Sequence, residues 1–104
     1  MKLYYTPGAC SMAAHIVAEE EGLVLEYVRV DLATHRTEAD LDYRSVNPKG
    51  YVPALELDEG GILTENVAIL LYLAHKKPRS GIAPPMGDPA WFHVVEWLTY
   101  VATE

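Results

Sequence analysis

The chain has one cysteine, Cys10, among 104 residues. A single thiol cannot close an internal disulfide, so nothing in the cysteine usage points to an oxidising compartment. Positive charge is scarce as well. Eight Lys and Arg face fifteen Asp and Glu, and the net charge is −7. A polyanionic partner needs a basic surface, so nucleic-acid binding is not expected. Long apolar runs are missing, and no stretch is long enough to span a membrane. Pro7 and Gly8 break the first apolar run almost at once, so no signal peptide is expected and a cytoplasmic location is. The four histidines are scattered, without ligand spacing to Cys or carboxylates on one helix face, so no metal is expected. No glycine-rich phosphate loop occurs.

What is present is a compact alternation of elements. Lys2-Leu3-Tyr4-Tyr5 reads as a strand and Thr6-Pro7-Gly8 as a turn. Cys10 to Glu21 reads as a helix closed by Gly22, and Leu25 to Asp31 alternates as a strand with one buried face. Leu32 to Arg44 is polar and mixed, with a weak short helix around Glu38 to Tyr43. After the turn Asn47-Pro48-Lys49-Gly50, the run Val52 to Leu57 alternates again. Asp58-Glu59-Gly60-Gly61 reads as a hairpin turn, followed by a short return strand at Ile62-Leu63. Thr64 then reads as the N-cap of a helix from Glu65 to about His75. The β-α-β start implies two parallel strands with a right-handed crossover, and the hairpin adds an antiparallel pair. The expected fold is α/β, ordered β-α-β-α-β-β-α, with a mixed four-stranded sheet. Residues 1–77 form this domain and 78–87 a Pro- and Gly-rich linker. Residues 88–104 are expected to be the first helix of a second, all-helical domain that is cut off, the alternative being a C-terminal helix that folds back on the sheet. Its apolar residues, among them Trp91, Phe92, Val95, Trp97 and Leu98, ask for partners on two sides.

Three places can carry chemistry. Cys10 stands where a strand hands over to a helix. Unpaired N–H groups and the positive end of the helix dipole favour a thiolate there. The alternative is a small apolar filler. Pro53 opens a strand after a glycine turn, where a cis Val52–Pro53 bond would turn the Val52 backbone toward a peptide-like ligand. Thr64-Glu65-Asn66 stands at a helix start. Its N–H groups suit a carboxylate and the Glu65 side chain suits an ammonium group, together matching an amino-acid head. Ordinary helix capping explains the same residues.

Taken in order, Met1 to Ser11, Asn47-Pro48-Lys49-Gly50-Tyr51-Val52-Pro53-Ala54-Leu55 and Leu63-Thr64-Glu65-Asn66-Val67-Ala68-Ile69 resemble the N-terminal domain of glutathione S-transferases, the bacterial beta class in particular. The resemblance implies a thioredoxin-like fold and glutathione as co-substrate, with no other cofactor. It implies Cys10 beside the glutathione sulfur, able to form a mixed disulfide, with Tyr5 and Ser11 nearby. It implies Val52, next to cis-Pro53, on the cysteinyl part, and Glu65 and Asn66 on the γ-glutamyl end. It places His35 near the glycyl carboxylate and Tyr51 at the ligand edge. Tyr51 stands where the family often has Gln, Asn66 where it often has Ser or Gly, and His35 where it often has Lys. A small electrophile as second substrate and a homodimer follow from the same resemblance. Two other readings compete: a monothiol glutaredoxin-like reductase working through Cys10, and a non-catalytic thioredoxin-like interaction module using the final helix.

Overall fold

A computed structural model describes residues 1–77 and 80–103. Strands β1 (Lys2–Tyr5), β2 (Glu26–Asp31), β3 (Arg36–Thr37), β4 (Ala54–Glu56) and β5 (Ile62–Thr64) are joined by helices α1 (Ser11–Glu21), α2 (Asn66–Ala74) and α3 (Pro89–Thr103). A 3-10 turn occupies Tyr43–Ser45. The sheet runs β3-β2-β1-β4-β5. β1 is central. It pairs parallel with β2, Leu3 opposite Tyr27, and antiparallel with β4, Leu3 opposite Leu55. The β4–β5 hairpin sets Leu55 opposite Leu63. This is the expected mixed α/β sheet with one strand more than expected. The fifth strand, β3, lies in the polar stretch 32–44 and pairs Thr37 with Val30, and the weak helix expected around Glu38 to Tyr43 is absent, the one helical turn of this stretch being the 3-10 turn that starts at Tyr43. β3 is two residues long and carries no apolar alternation, so periodicity could not reveal it.

Alternation along β1 divides the core in two. Leu3 faces one side, packed with Leu25, Leu55 and the helix residues Ala14, Ala18, Ile69 and Leu73. Tyr4 faces the other, packed with Val30, Tyr43, Val52 and Ala54. Ser11, Ala14, Ala18 and Glu21 form the buried stripe of α1, at spacings of three and four that keep them on one face. The small side chains Ala14 and Ala18 are fully buried and let α1 lie close to α2. Gly22, at φ 67°, ends α1 in a left-handed cap. Its N–H donates to Glu19 O, and Leu23 N–H donates to Ala18 O.

α3 sits apart from this core. Its Trp91 ring meets His75 at the end of α2, with centroids 6.2 Å apart, but no α3 residue is fully buried. Phe92, Trp97, Tyr100 and Val101 are each more than half exposed. Of the expected linker, Pro78 and Arg79 lie outside the described residues, as does Glu104. No helix among the described residues is long and apolar enough to cross a membrane.

Candidate functional site

A groove of about 830 Å³ opens between the start of α1, the segment 51–53, the start of α2 and the last turns of α3. Cys10, Tyr51, Val52, Pro53, Glu65 and Asn66 all line it, although they come from three distant stretches of sequence. The topology explains the convergence. β1 is central, so the turn after it lies beside the segment that leads into its antiparallel neighbour β4. β5, on the far side of β4, delivers the start of α2 to the same end of the sheet.

Cys10 is the residue immediately before α1, in helical conformation at φ −63°, ψ −16°. It is exposed, and its thiol donates to the Val52 carbonyl at 3.3 Å. An apolar filler would be buried, so exposure in a groove removes that reading. The Val52–Pro53 peptide is cis. Tyr51 keeps its ring at the rim, 74 % exposed.

At the start of α2 the structure departs from the expected cap. Thr64 stays in β5, paired with Ala54, and Glu65 takes the capping position without a side-chain cap bond. Threonine suits both strands and N-caps, and the hairpin ladder claims it here. The first N–H donors of α2 are thus left without the side-chain acceptor expected for them. Glu65 adopts φ 73°, ψ 125°, a conformation that an L side chain enters at a cost of roughly 1–3 kcal/mol. Its carboxylate accepts from Lys49 Nζ at 2.5 Å, and the same ammonium donates to Thr64 Oγ1 at 2.9 Å. Asn66 carries a buried Oδ1 with no hydrogen-bond partner. A carboxylate on a strained backbone position, beside an amide oxygen with no partner at a groove wall, suits a ligand that brings an ammonium group.

Three expected site residues are not brought into the groove. Ser11 is buried and closes the 6–11 turn on itself. Its Oγ accepts from Thr6 N–H and donates to Thr6 O, both at 3.2 Å. Tyr5 packs edge-on against Tyr27, with centroids 6.1 Å apart. His35 sits at φ 57° with its ring against Gly50, where a Cβ would come within 3.0 Å of the imidazole. Gly50 itself takes φ 77°, the left-handed region that favours glycine, and the close imidazole leaves little room for a side chain there. Lys49, Tyr43 and Asn47 were missed. Asn-Pro-Lys-Gly announces a turn, and nothing in it announces that the lysine reaches Glu65 or that the asparagine turns inward. Among the described residues no group of three His, Cys, Asp or Glu is placed to hold a metal ion.

Residues 1–75 match the family described as glutathione S-transferase, N-terminal domain. The chain belongs to this family. Glutathione S-transferase GstA of Escherichia coli O157:H7 is 50% identical over 104 residues, which are all of this chain and 52% of that protein. Among solved structures, a sphingomonad glutathione S-transferase complexed with glutathione superposes with a TM-score of 0.97 at 50% identity. It is covered to 52%, and this chain in full. BphK, a bacterial GST solved as a ternary complex, gives the same TM-score at 48% identity, with 100% of this chain and 52% of BphK covered. The chain therefore spans about half the length of the glutathione S-transferases it matches, and the fold described above is their thioredoxin-like N-terminal domain.

Proposed function

We propose that the groove binds glutathione and that the protein to which this chain belongs is a glutathione transferase. The observation that carries the reading is the meeting of Cys10, Val52, Glu65 and Asn66 in one groove. A tripeptide with an amino-acid head, a peptide middle and a sulfur needs an ion pair, a main-chain strip and a thiol site in that order. The Glu65 carboxylate takes the γ-glutamyl ammonium, exchanging it for Lys49. The N–H groups opening α2 and the Asn66 Nδ2 donate to the γ-glutamyl carboxylate, while the Asn66 Oδ1 accepts from the neighbouring ammonium. The Val52 main chain pairs with the cysteinyl residue by strand addition. That register lays the glutathione sulfur toward Cys10 and the start of α1, whose N–H donors favour the anion.

Two chemical steps follow. In transfer, the glutathione thiol gives its proton to solvent and the thiolate donates a lone pair to an electrophilic carbon. A carbon–sulfur bond forms and the leaving group departs with its bonding pair. In mixed-disulfide formation, the Cys10 thiolate attacks a sulfur of oxidised glutathione, the Cys10–glutathione bond forms, and a glutathione thiolate leaves. Tyr5, Ser11 and His35 support the site from behind the turn and the 47–51 loop rather than from within the groove.

Leu98, Val101 and Ala102 of α3 also line the groove, an apolar flank suited to a small electrophile. We also propose the division expected from sequence. Residues 1–77 are the glutathione-binding domain, 78–87 a linker, and 88–104 the first helix of a helical domain, with the exposed face of α3 covered by that domain or by a second copy. Titration calorimetry and mass spectrometry test the central reading: in the first, glutathione binds the chain, and in the second, oxidised glutathione adds one glutathionyl group, which Cys10→Ser abolishes. Binding of glutathione that leaves Cys10 unmodified would keep the transferase and remove the mixed disulfide. Absence of binding would remove both.

A further inference from the structure

We propose that Tyr43 and Asn47 are positioning residues for the ligand in this groove, acting through one atom that both hold, the Tyr51 carbonyl oxygen. The proposal rests on the reading of the groove as a glutathione site. Tyr43 is fully buried and is the bulkiest of the fully buried side chains, and Asn47 is 1% exposed. The Tyr43 hydroxyl donates to Tyr51 O at 2.7 Å, and Asn47 Nδ2 donates to the same oxygen at 2.8 Å. A carbonyl oxygen has two lone pairs, and both are engaged. Tyr51 C=O and Val52 N–H belong to one planar peptide unit. Fixing the direction of the carbonyl therefore fixes the direction of the Val52 N–H, the donor that a peptide ligand would meet.

Both residues are themselves anchored, so the clamp has something rigid to pull against. The Tyr43 ring packs on Tyr4 of the central strand β1, with centroids 5.6 Å apart, and Tyr43 N–H donates to His35 O at 2.8 Å. Asn47 N–H donates to Tyr43 O at 2.9 Å, while its Oδ1 accepts from Lys49 N–H and its backbone oxygen accepts from Gly50 N–H. The asparagine thus shapes the same turn that sends Lys49 to Glu65. On the other side of the peptide, the Val52 carbonyl accepts the Cys10 thiol. One buried pair of donors accordingly sets the main-chain strip between the thiol and the γ-glutamyl end. Tyr43 itself does not line the groove, so its effect on a ligand passes through the Tyr51–Val52 peptide.

The test compares three variants of the 104-residue chain by titration calorimetry with glutathione, at a temperature where circular dichroism shows each to be folded. Tyr43→Phe keeps the ring and removes the donor. Asn47→Ser keeps a hydroxyl that can accept from Lys49 N–H, is too short to reach Tyr51 O and adds no charge to the groove that Asn47 lines, and it serves if Tyr43→Phe does not fold. Val30→Ala is the control, since Val30 lies in the same buried cluster and makes no side-chain hydrogen bond to the loop. Tyr43→Phe and Asn47→Ser are each expected to weaken glutathione by roughly five- to tenfold, the loss of one hydrogen bond. Val30→Ala should bind as the unmutated chain does despite lower stability. In the ligand-free chain, the Val52 amide resonance should move in the two clamp variants and stay in the control. Unchanged affinity in a folded clamp variant, or an equal loss in Val30→Ala, overturns the proposal. No heat with the unmutated chain overturns the glutathione reading on which it rests.

Discussion

Replacing Glu65 separates what the position does for the fold from what it does for a ligand. The carboxylate is 71% exposed and its only ion-pair partner among the described residues, Lys49, is about half exposed. An exposed pair of this kind contributes less than about 1 kcal/mol, so Glu65→Ala should leave stability nearly unchanged. A ligand ammonium seated on the carboxylate is a charge-assisted contact of about 1.5–3 kcal/mol, or roughly a ten- to hundredfold change in Kd. The backbone adds a second, independent signal. Alanine at φ 73° keeps the strained conformation, whereas glycine adopts it freely. Glu65→Gly should therefore lose the same affinity as Glu65→Ala while being more stable than it by about 1 kcal/mol. Calorimetry with glutathione reads the first quantity and thermal unfolding the second. A folded Glu65→Ala that binds glutathione as tightly as the unmutated chain would return Glu65 to a helix-start residue with no part in recognition.

Ala18→Leu forces a larger side chain between α1 and α2 where no space exists, and should destabilise the chain by about 1–3 kcal/mol in chemical denaturation. Burial pushes the Tyr43 hydroxyl up to about 12. Below pH ~10 the phenol is protonated in both states and contributes no slope; between ~10 and ~12 only the unfolded chain releases the proton. Stability should therefore fall there by about 1.4 kcal/mol per pH unit from this group, and Tyr43→Phe should remove that part of the slope in denaturation curves. The exposed Phe92, Trp97, Tyr100 and Val101 of α3 should make the 104-residue chain associate at micromolar concentration. Sedimentation showing a stable monomer would mean that this strip needs no cover.

The elements that reported themselves in the sequence are those whose burial pattern is simple. β1 is a short apolar and aromatic run buried on both faces, the stretch leading into β2 alternates in sequence, and α1 ends on Gly22. The β4–β5 hairpin carries its glycines at the turn, so the order of the main elements was legible from periodicity and punctuation. β3 was not, because two polar residues held by backbone bonds leave no apolar trace. Thr64 illustrates a conflict of propensities that only the neighbouring strand resolves. The positive φ of Glu65 was equally hidden, since glutamate gives no sign of a left-handed position. Within the site, the thiol, the Val52–Pro53 segment and the α2 start were legible because each has a chemical character of its own. The clamp on Tyr51 and the reach of Lys49 depend on long-range placement of side chains whose local sequence reads only as a turn. Ser11, expected beside the sulfur only from the family resemblance, has its hydroxyl bound to the backbone of its own turn.

The central claim is that one ligand spans the groove from Cys10 to Asn66, and amide chemical-shift mapping of the chain during titration with reduced glutathione tests it most directly. Glutathione should move the amide resonances of Cys10 and Ser11, of Val52, and of Glu65 and Asn66 together, with one common Kd. Shifts confined to the Arg29–Arg36 edge of the sheet, or none at saturating glutathione, would contradict it.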